Sequence, residues 1–200
     1  MEYCLRLVYL MDQKQNEKIA VTQTPYSSFR GSPTRIERIT GSTTDIQHLL
    51  HQGSTHFDAT FWVGANAVIR KRALEDIAEV DEIHGFVFRR FIQDRKVIED
   101  TESSIDLRRK EWRLYNYPKR LSYSATPPDF GSLVIQRGRW ANGGLLILPK
   151  LLAARKQLKR EGKPMRRLEF LIRVNYMCSV AWASFGLLFL LVYPFDSKLL

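Results

Sequence analysis

Val97-Ile98-Glu99-Asp100-Thr101-Glu102 puts three carboxylates where an apolar, β-branched pair gives way to a polar stretch. β-Branched residues suit strands, and acidic residues gather in the first turn of helices, where the amide dipoles stabilise an anion. The spacing predicts a strand-to-helix junction, with a helix opening at Asp100 or Thr101 and running to about Lys110. A carboxylate held there can accept a proton, although helix capping uses the same residues far more often than catalysis does.

Outward from this junction on the amino side, residues 86–92 read as a strand. Residues 70–79 read as a helix with Ala73, Leu74, Ile77 and Ala78 inward, 55–63 as a strand and 43–52 as a helix. A loop through Gly31, Pro33 and Gly41 separates them from a short strand, 19–24, closed by Pro25. Residues 2–14 read as a helix packing through Leu5, Val8 and Tyr9. On the carboxyl side, extended pieces near 112–117 and 121–125 lead through Pro127 and Pro128 into helices over 130–148 and 151–160. Strands alternating with helices imply an α/β sheet.

The charge is unevenly spread. Of 200 residues, 44% are apolar and 26% charged, which excludes disordered and fibrous classes. The 31 Lys and Arg against 21 Asp and Glu leave a formal charge of +10, which favours anionic partners. Nine basic residues against Glu161 and Glu169 place +7 of this between Lys150 and Arg173. Directly after it, residues 174–193 carry no charge, and twenty helical residues span about 30 Å, the thickness of a bilayer's hydrocarbon. With Tyr176, Trp182 and Tyr193 as interfacial aromatics, this run is expected to be a single transmembrane helix. The positive-inside rule then leaves the main domain cytoplasmic and sends the tail, 194–200, across. Cys4 and Cys178 form no redox or metal spacing, and no secretory signal opens the chain.

A second cluster is Gln136-Arg137-Gly138-Arg139-Trp140. On a helix, Gln136, Arg139 and Trp140 fall at i, i+3 and i+4, so they share one face. An amide, a forked cation and an aromatic plate are parts that can grip a diphosphate and cover a sugar ring. The same residues also suit an interfacial helix touching lipid phosphates.

Taken in order, these segments resemble the membrane-embedded glycosyltransferases of family 2, such as cellulose, hyaluronan and poly-N-acetylglucosamine synthases. Val21-Thr22-Gln23-Thr24-Pro25 is similar to the strand and loop after the family's metal-binding motif. Phe61-Trp62-Val63-Gly64-Ala65-Asn66, followed by Arg70, Arg72, Ala73 and Leu74, resembles its acceptor-side F-x-x-G segment. Val97 to Glu102 is similar to its T-E-D segment, with Ile98 in place of threonine, and Gln136 to Trp140 fits Q-x-x-R-W.

The resemblance implies a partial GT-A-like domain over 1–128, the Q-x-x-R-W and basic interfacial helices over 129–173, and the span over 174–193. It implies inverting transfer of a sugar from a nucleotide-sugar donor to a glycan acceptor. Asp100 would be the base with Glu99 beside it, and Gln136 and Arg139 would bind the donor diphosphate. Trp140, Phe61, Trp62, Gly64 and Asn66 would line the acceptor side. A divalent metal, Mg2+ or Mn2+, is implied, but its ligands belong to an earlier segment; Asp12 and Asp45 lack an acidic partner at suitable spacing. The chain is thus expected to be the C-terminal part of a catalytic domain and inactive alone.

Other readings weigh less. A non-catalytic membrane-anchored module would bind anionic lipid or an acidic partner through 150–173. Nucleic-acid binding would draw on Arg108, Arg109, Trp112, Arg113, Arg137 and Trp140, but the basic residues concentrate beside a span rather than over a folded face. His48, His51 and His56 straddle Gly53 without a further ligand, which argues against zinc. Phosphate loops, dinucleotide turns and G-x-S-x-G elbows are missing.

Overall fold

The computed structural model describes residues 2–64, 66–92 and 98–192. Ala65, Val97, Tyr193 and the expected tail 194–200 lie outside them. The elements in chain order are α1 (Glu2–Asp12), β1 (Ile19–Gln23), β2 (Tyr26–Ser28), α2 (Arg35–His56), β3 (Ala67–Ile69), α3 (Lys71–Ile77) and β4 (Glu79–Ile83). They continue with β5 (Phe86–Arg90), α4 (Glu99–Arg109), β6 (Arg113–Asn116), β7 (Ser122–Ser124), α5 (Phe130–Arg160), α6 (Arg167–Met177) and α7 (Ser179–Val192).

β1 is the central strand, and all five of its residues are buried, which is why Ile-Ala-Val-Thr-Gln shows no alternation. It pairs antiparallel with β3 and parallel with β6. Past Pro25 the same two chains stay together as the parallel pair β2–β7. β4 and β5 form a separate hairpin that turns at His84-Gly85, both in the left-handed region that tight two-residue turns require. One core joins Ala20, Val21, Trp62, Ala73, Leu107, Trp112 and Leu114 around the sheet. A second joins Phe61, Ile105, Ile147, Leu151, Ala154, Leu158, Met165 and Met177 between α4, α5 and α6.

Several sequence expectations are corrected. α1 buries Leu7 and Met11, not Leu5, Val8 and Tyr9, which are exposed. α2 begins eight residues earlier than expected because Thr34 and Glu37 form a reciprocal cap: Thr34 Oγ1 accepts from the Glu37 N–H at 3.1 Å, and Glu37 Oε2 accepts from the Thr34 N–H at 2.9 Å. Gly41 is a helix residue there, since a Cβ would lie 2.3 Å from Ser28 Oγ; its absence lets α2 lie against β2. Residues 55–63 are not a strand: α2 continues to His56, and residues 57–63 find no open edge on a central strand that already has neighbours on both sides.

α5 runs unbroken through Pro149. Ile147, Leu151, Ala154 and Leu158 form one buried stripe on either side of the proline, and that shared burial holds the helix together across the missing N–H.

The largest correction concerns residues 174–193. They divide at Cys178 between α6 and α7, which meet at a bend of 69°. Among the described residues no single helix is long and apolar enough to cross a membrane; the bent pair qualifies by length and composition. Two contacts account for the division. α6 is docked by charge, since Glu169 receives both Arg108 (2.7 Å) and Arg173 (3.5 Å), and Arg173 also donates to the Asp58 carbonyl at 2.8 Å. At the bend, α5 meets Met177 so closely that a Cβ on Gly144 would lie 2.5 Å from the Met177 carbonyl oxygen. α7 leaves Trp182, Phe185 and Leu187 to Val192 exposed.

Candidate active site

Asp100 sits in the first turn of α4, as the acidic cluster predicts. Its Oδ1 accepts from the N–H (2.6 Å) and hydroxyl (3.3 Å) of Thr101, and its Oδ2 accepts from the N–H of Gly64 (2.8 Å). Gly64 has φ +79°, a conformation that a Cβ makes costly. Burial pushes the Asp100 carboxyl above its ordinary range, these donors oppose the rise, and the nearby Glu99 anion adds to it. The result is a stronger base than an exposed aspartate.

Asp100, Thr101 and Gly64 line a cavity of about 660 Å³ together with Tyr26, Thr43, Gln47, Arg137, Trp140, Asn175 and Tyr176. That volume lies in the range of small-molecule sites. Ile46, Leu49, Leu50, Ile172 and Val180 make the remainder of the wall apolar. Arg137 donates to Thr43 Oγ1 at 2.8 Å and lies 4.6 Å from the Trp140 ring centroid. Burial also raises the Tyr26 phenol, and the Asp100 charge adds to this.

The structure does not gather every expected residue here. Asp100 and Arg139 do not share the cavity: Arg139 is exposed, and the guanidinium facing Asp100's cavity belongs to Arg137. Two residues along an α-helix is a turn of about 200°, so residues 137 and 139 point to opposite sides. The cavity-facing stripe of α5 is Arg137, Trp140 and Gly144, at i, i+3 and i+7. The rotation of the helix is set where Gly144 docks on Met177, a contact between segments that motif spacing does not report.

Gln136 precedes Arg137 on α5, with its Oε1 buried and no partner among the described residues. Glu99 is exposed, and its carbonyl accepts from Ser103 at 2.8 Å. Glu102 is buried and takes Lys150 at 2.9 Å, a cation that Asp106 shares.

The acceptor-side segment is divided in the same way. Gly64 and Trp140 line the cavity, whereas Phe61 and Trp62 point into the two cores. Phe61 stacks on the cavity residue Tyr176, with ring centroids 5.1 Å apart. Trp62 donates its indole N–H to Ser103 Oγ at 3.2 Å. Asn66 gives its carbonyl to the Thr24 N–H at 3.3 Å. Tyr26, Gln47, Arg137 and Tyr176 were not among the expected site residues. Only Arg137 had a sequence signal, its i, i+3 relation to Trp140.

Among the described residues no group of three His, Cys, Asp or Glu could hold a metal ion. The described residues thus supply no ligand set for the divalent metal that the resemblance implies. His48 and His51 are buried, and burial lowers them to about 4 and about 3. They belong to an aromatic row from Tyr26 to Tyr176, with neighbouring centroids 4.8 to 6.3 Å apart.

Residues 1–199 match the model of the glycosyl transferase family group 2. Over 137 residues the chain is 26% identical to the cellulose synthase 1 catalytic subunit (UDP-forming) of Komagataeibacter xylinus, covering 66% of this chain and 17% of that protein. It is 25% identical over 137 residues to the cellulose synthase catalytic subunit (UDP-forming) of Komagataeibacter sucrofermentans, covering 66% and 16%. It is 26% identical over 136 residues to cellulose synthase 2 of Novacetimonas hansenii, covering 66% and 8%. The matched part thus spans less than a fifth of each of these relatives.

Proposed function

Because this chain belongs to the glycosyl transferase family group 2, we propose that its cavity is where a sugar passes, with inversion, from a nucleotide-sugar donor to a hydroxyl of a growing glycan. The observation that carries this reading is Asp100: a carboxylate made more basic by burial, held by the Gly64 and Thr101 N–H groups, in one cavity with the indole of Trp140. Asp100 takes the proton of the acceptor hydroxyl as its oxygen attacks the anomeric carbon, and the nucleoside diphosphate departs from the opposite face. Glu99 keeps negative charge beside the base.

Trp140 and Gly64 bound the acceptor sugar, with Asn66 close in sequence, while Phe61 and Trp62 support the segment from the cores. Arg137, whose guanidinium lines the cavity, meets the departing diphosphate, in place of Gln136 and Arg139, which lie off the cavity-facing stripe of α5. No step is assigned to a metal. The bent pair α6–α7 rests at the cytoplasmic membrane face, with the exposed apolar residues of α7 in lipid.

The purely lipid-binding alternative draws on a basic stretch that is partly committed within the protein. Lys150, Lys163, Arg166 and Arg173 are ion-paired to Glu102, Glu111, Asp58 and Glu169, and Arg155 packs 3.8 Å over the Phe170 ring.

The test is Asp100→Asn in the full-length protein, assayed in membranes for incorporation of labelled nucleotide sugar. Transfer is expected to vanish while nucleotide-sugar binding persists. Wild-type turnover in Asp100→Asn removes the residue from this role.

A further inference from the structure

The end of β1 is connected to Asp100 by side-chain amides. Gln23, the last residue of β1, is 2% exposed. Its Nε2 donates to the Phe61 carbonyl at 3.1 Å and to Asn116 Oδ1, and its Oε1 accepts from the Val63 N–H at 2.9 Å. Asn116, the last residue of β6, donates from Nδ2 to Thr60 Oγ1 (2.8 Å) and Thr55 Oγ1 (2.9 Å). Two neighbouring strand ends thus pin residues 60, 61 and 63. Both edges of β1 are already paired, so side chains rather than a ladder with that strand hold these residues. Next after Val63 comes Gly64, whose N–H reaches Asp100.

We infer that Gln23, braced by Asn116, is a positioning residue: by fixing the segment from Thr60 to Val63 it aims the Gly64 N–H at Oδ2 of Asp100 and keeps the carboxylate turned into the cavity. Three of the amide's bonds run to this segment and its brace. A hydrocarbon of the same shape would leave the Phe61 carbonyl, the Val63 N–H and Asn116 Oδ1 without this partner in the interior, and the segment would shift to satisfy them. Gly64 has no Cβ to resist such a shift.

The other groups facing Asp100 come from four elements: Glu99 in α4, Tyr26 in β2, Arg137 in α5 and Tyr176 in α6. None of them is bonded to Gln23. The aim of the carboxylate stands on geometry; its effect on transfer rests on the proposed role of Asp100.

The experiment is a 13C NMR titration of the Asp100 carboxyl carbon in the full chain, comparing wild type, Gln23→Met and Ser27→Ala. Gln23→Met is expected to raise the Asp100 midpoint by about one pH unit, the effect of losing one hydrogen bond to a charged group, and to move the Gly64 amide resonance. Ser27→Ala removes a different buried hydroxyl and should leave both where they are. If Gln23→Met does not fold, Gln23→Asn, whose amide stops one methylene short, carries the same expectation. An unmoved Asp100 midpoint in a folded Gln23 variant overturns the inference. If the midpoint moves but transfer does not depend on Asp100, the proposed function fails and the positioning role survives.

Discussion

The backbone N–H of Gly64 donates to Oδ2 of Asp100 at 2.8 Å, joining two segments 36 residues apart in sequence. A left-handed glycine supplies the donor, and the first turn of a helix supplies the acceptor. Neither half of the contact would face the cavity in this way without the other.

Gly64→Ala tests that dependence. An L-residue at φ +79° costs roughly 1–2 kcal/mol, and the new Cβ would stand 3.4 Å from the Tyr26 hydroxyl oxygen. The variant is expected to lose that much stability in urea denaturation and to lower the transfer rate. Equal stability and rate would show that the turn is not under this constraint.

Arg137 lines the cavity, and Arg139, two residues on, points away from it. Arg137→Ala is expected to cost roughly 2–4 kcal/mol of transition-state stabilisation, as the cation proposed to meet the departing diphosphate. Arg139→Ala, which leaves the cavity lining intact, is expected to keep kcat and KM near their wild-type values. Measuring kcat and KM for donor and acceptor in both variants distinguishes them, and an exchange of the two patterns would move the diphosphate to the other side of α5.

The buried histidines give stability a defined pH dependence. His48 and His51 titrate at about 4 and about 3 in the folded chain, against roughly 6.5 when unfolded, because burial opposes the charged ring. Between those values the unfolded chain binds more protons, so the histidines' contribution to stability is fully present above pH 6.5 and is lost as pH falls towards about 4 for His48 and about 3 for His51. His48→Phe, which keeps a ring against Tyr26, is expected to flatten the stability profile across that window in urea melts at stepped pH. An unchanged slope would assign the acid sensitivity to other groups.

How much of this was legible in the sequence depends on what holds each part. Local chemistry was readable: the acidic opening of α4, the buried run of β1 and the inward Ala73 of α3 all follow from neighbouring residues. The Thr34–Glu37 cap was also written in the sequence but was masked by the surrounding Gly31, Pro33 and Gly41, which suggested a loop. Contacts between distant segments were not legible. The stretch before Gly64 reads as a strand from its β-branched and aromatic residues, yet amides from Gln23 and Asn116 hold it in place of a ladder. Likewise, the Q-x-x-R-W spacing gives the shared face of Gln136, Arg139 and Trp140, but not which way that face turns.

Gly144 lies one helical turn beyond Trp140 and touches backbone to backbone where α6 gives way to α7. A single rigid strut therefore carries the indole at the cavity and the elbow from which the apolar helix departs. Bulk introduced at residue 144 would tilt both together, so the heading of α7 and the width of the cavity mouth cannot be adjusted separately.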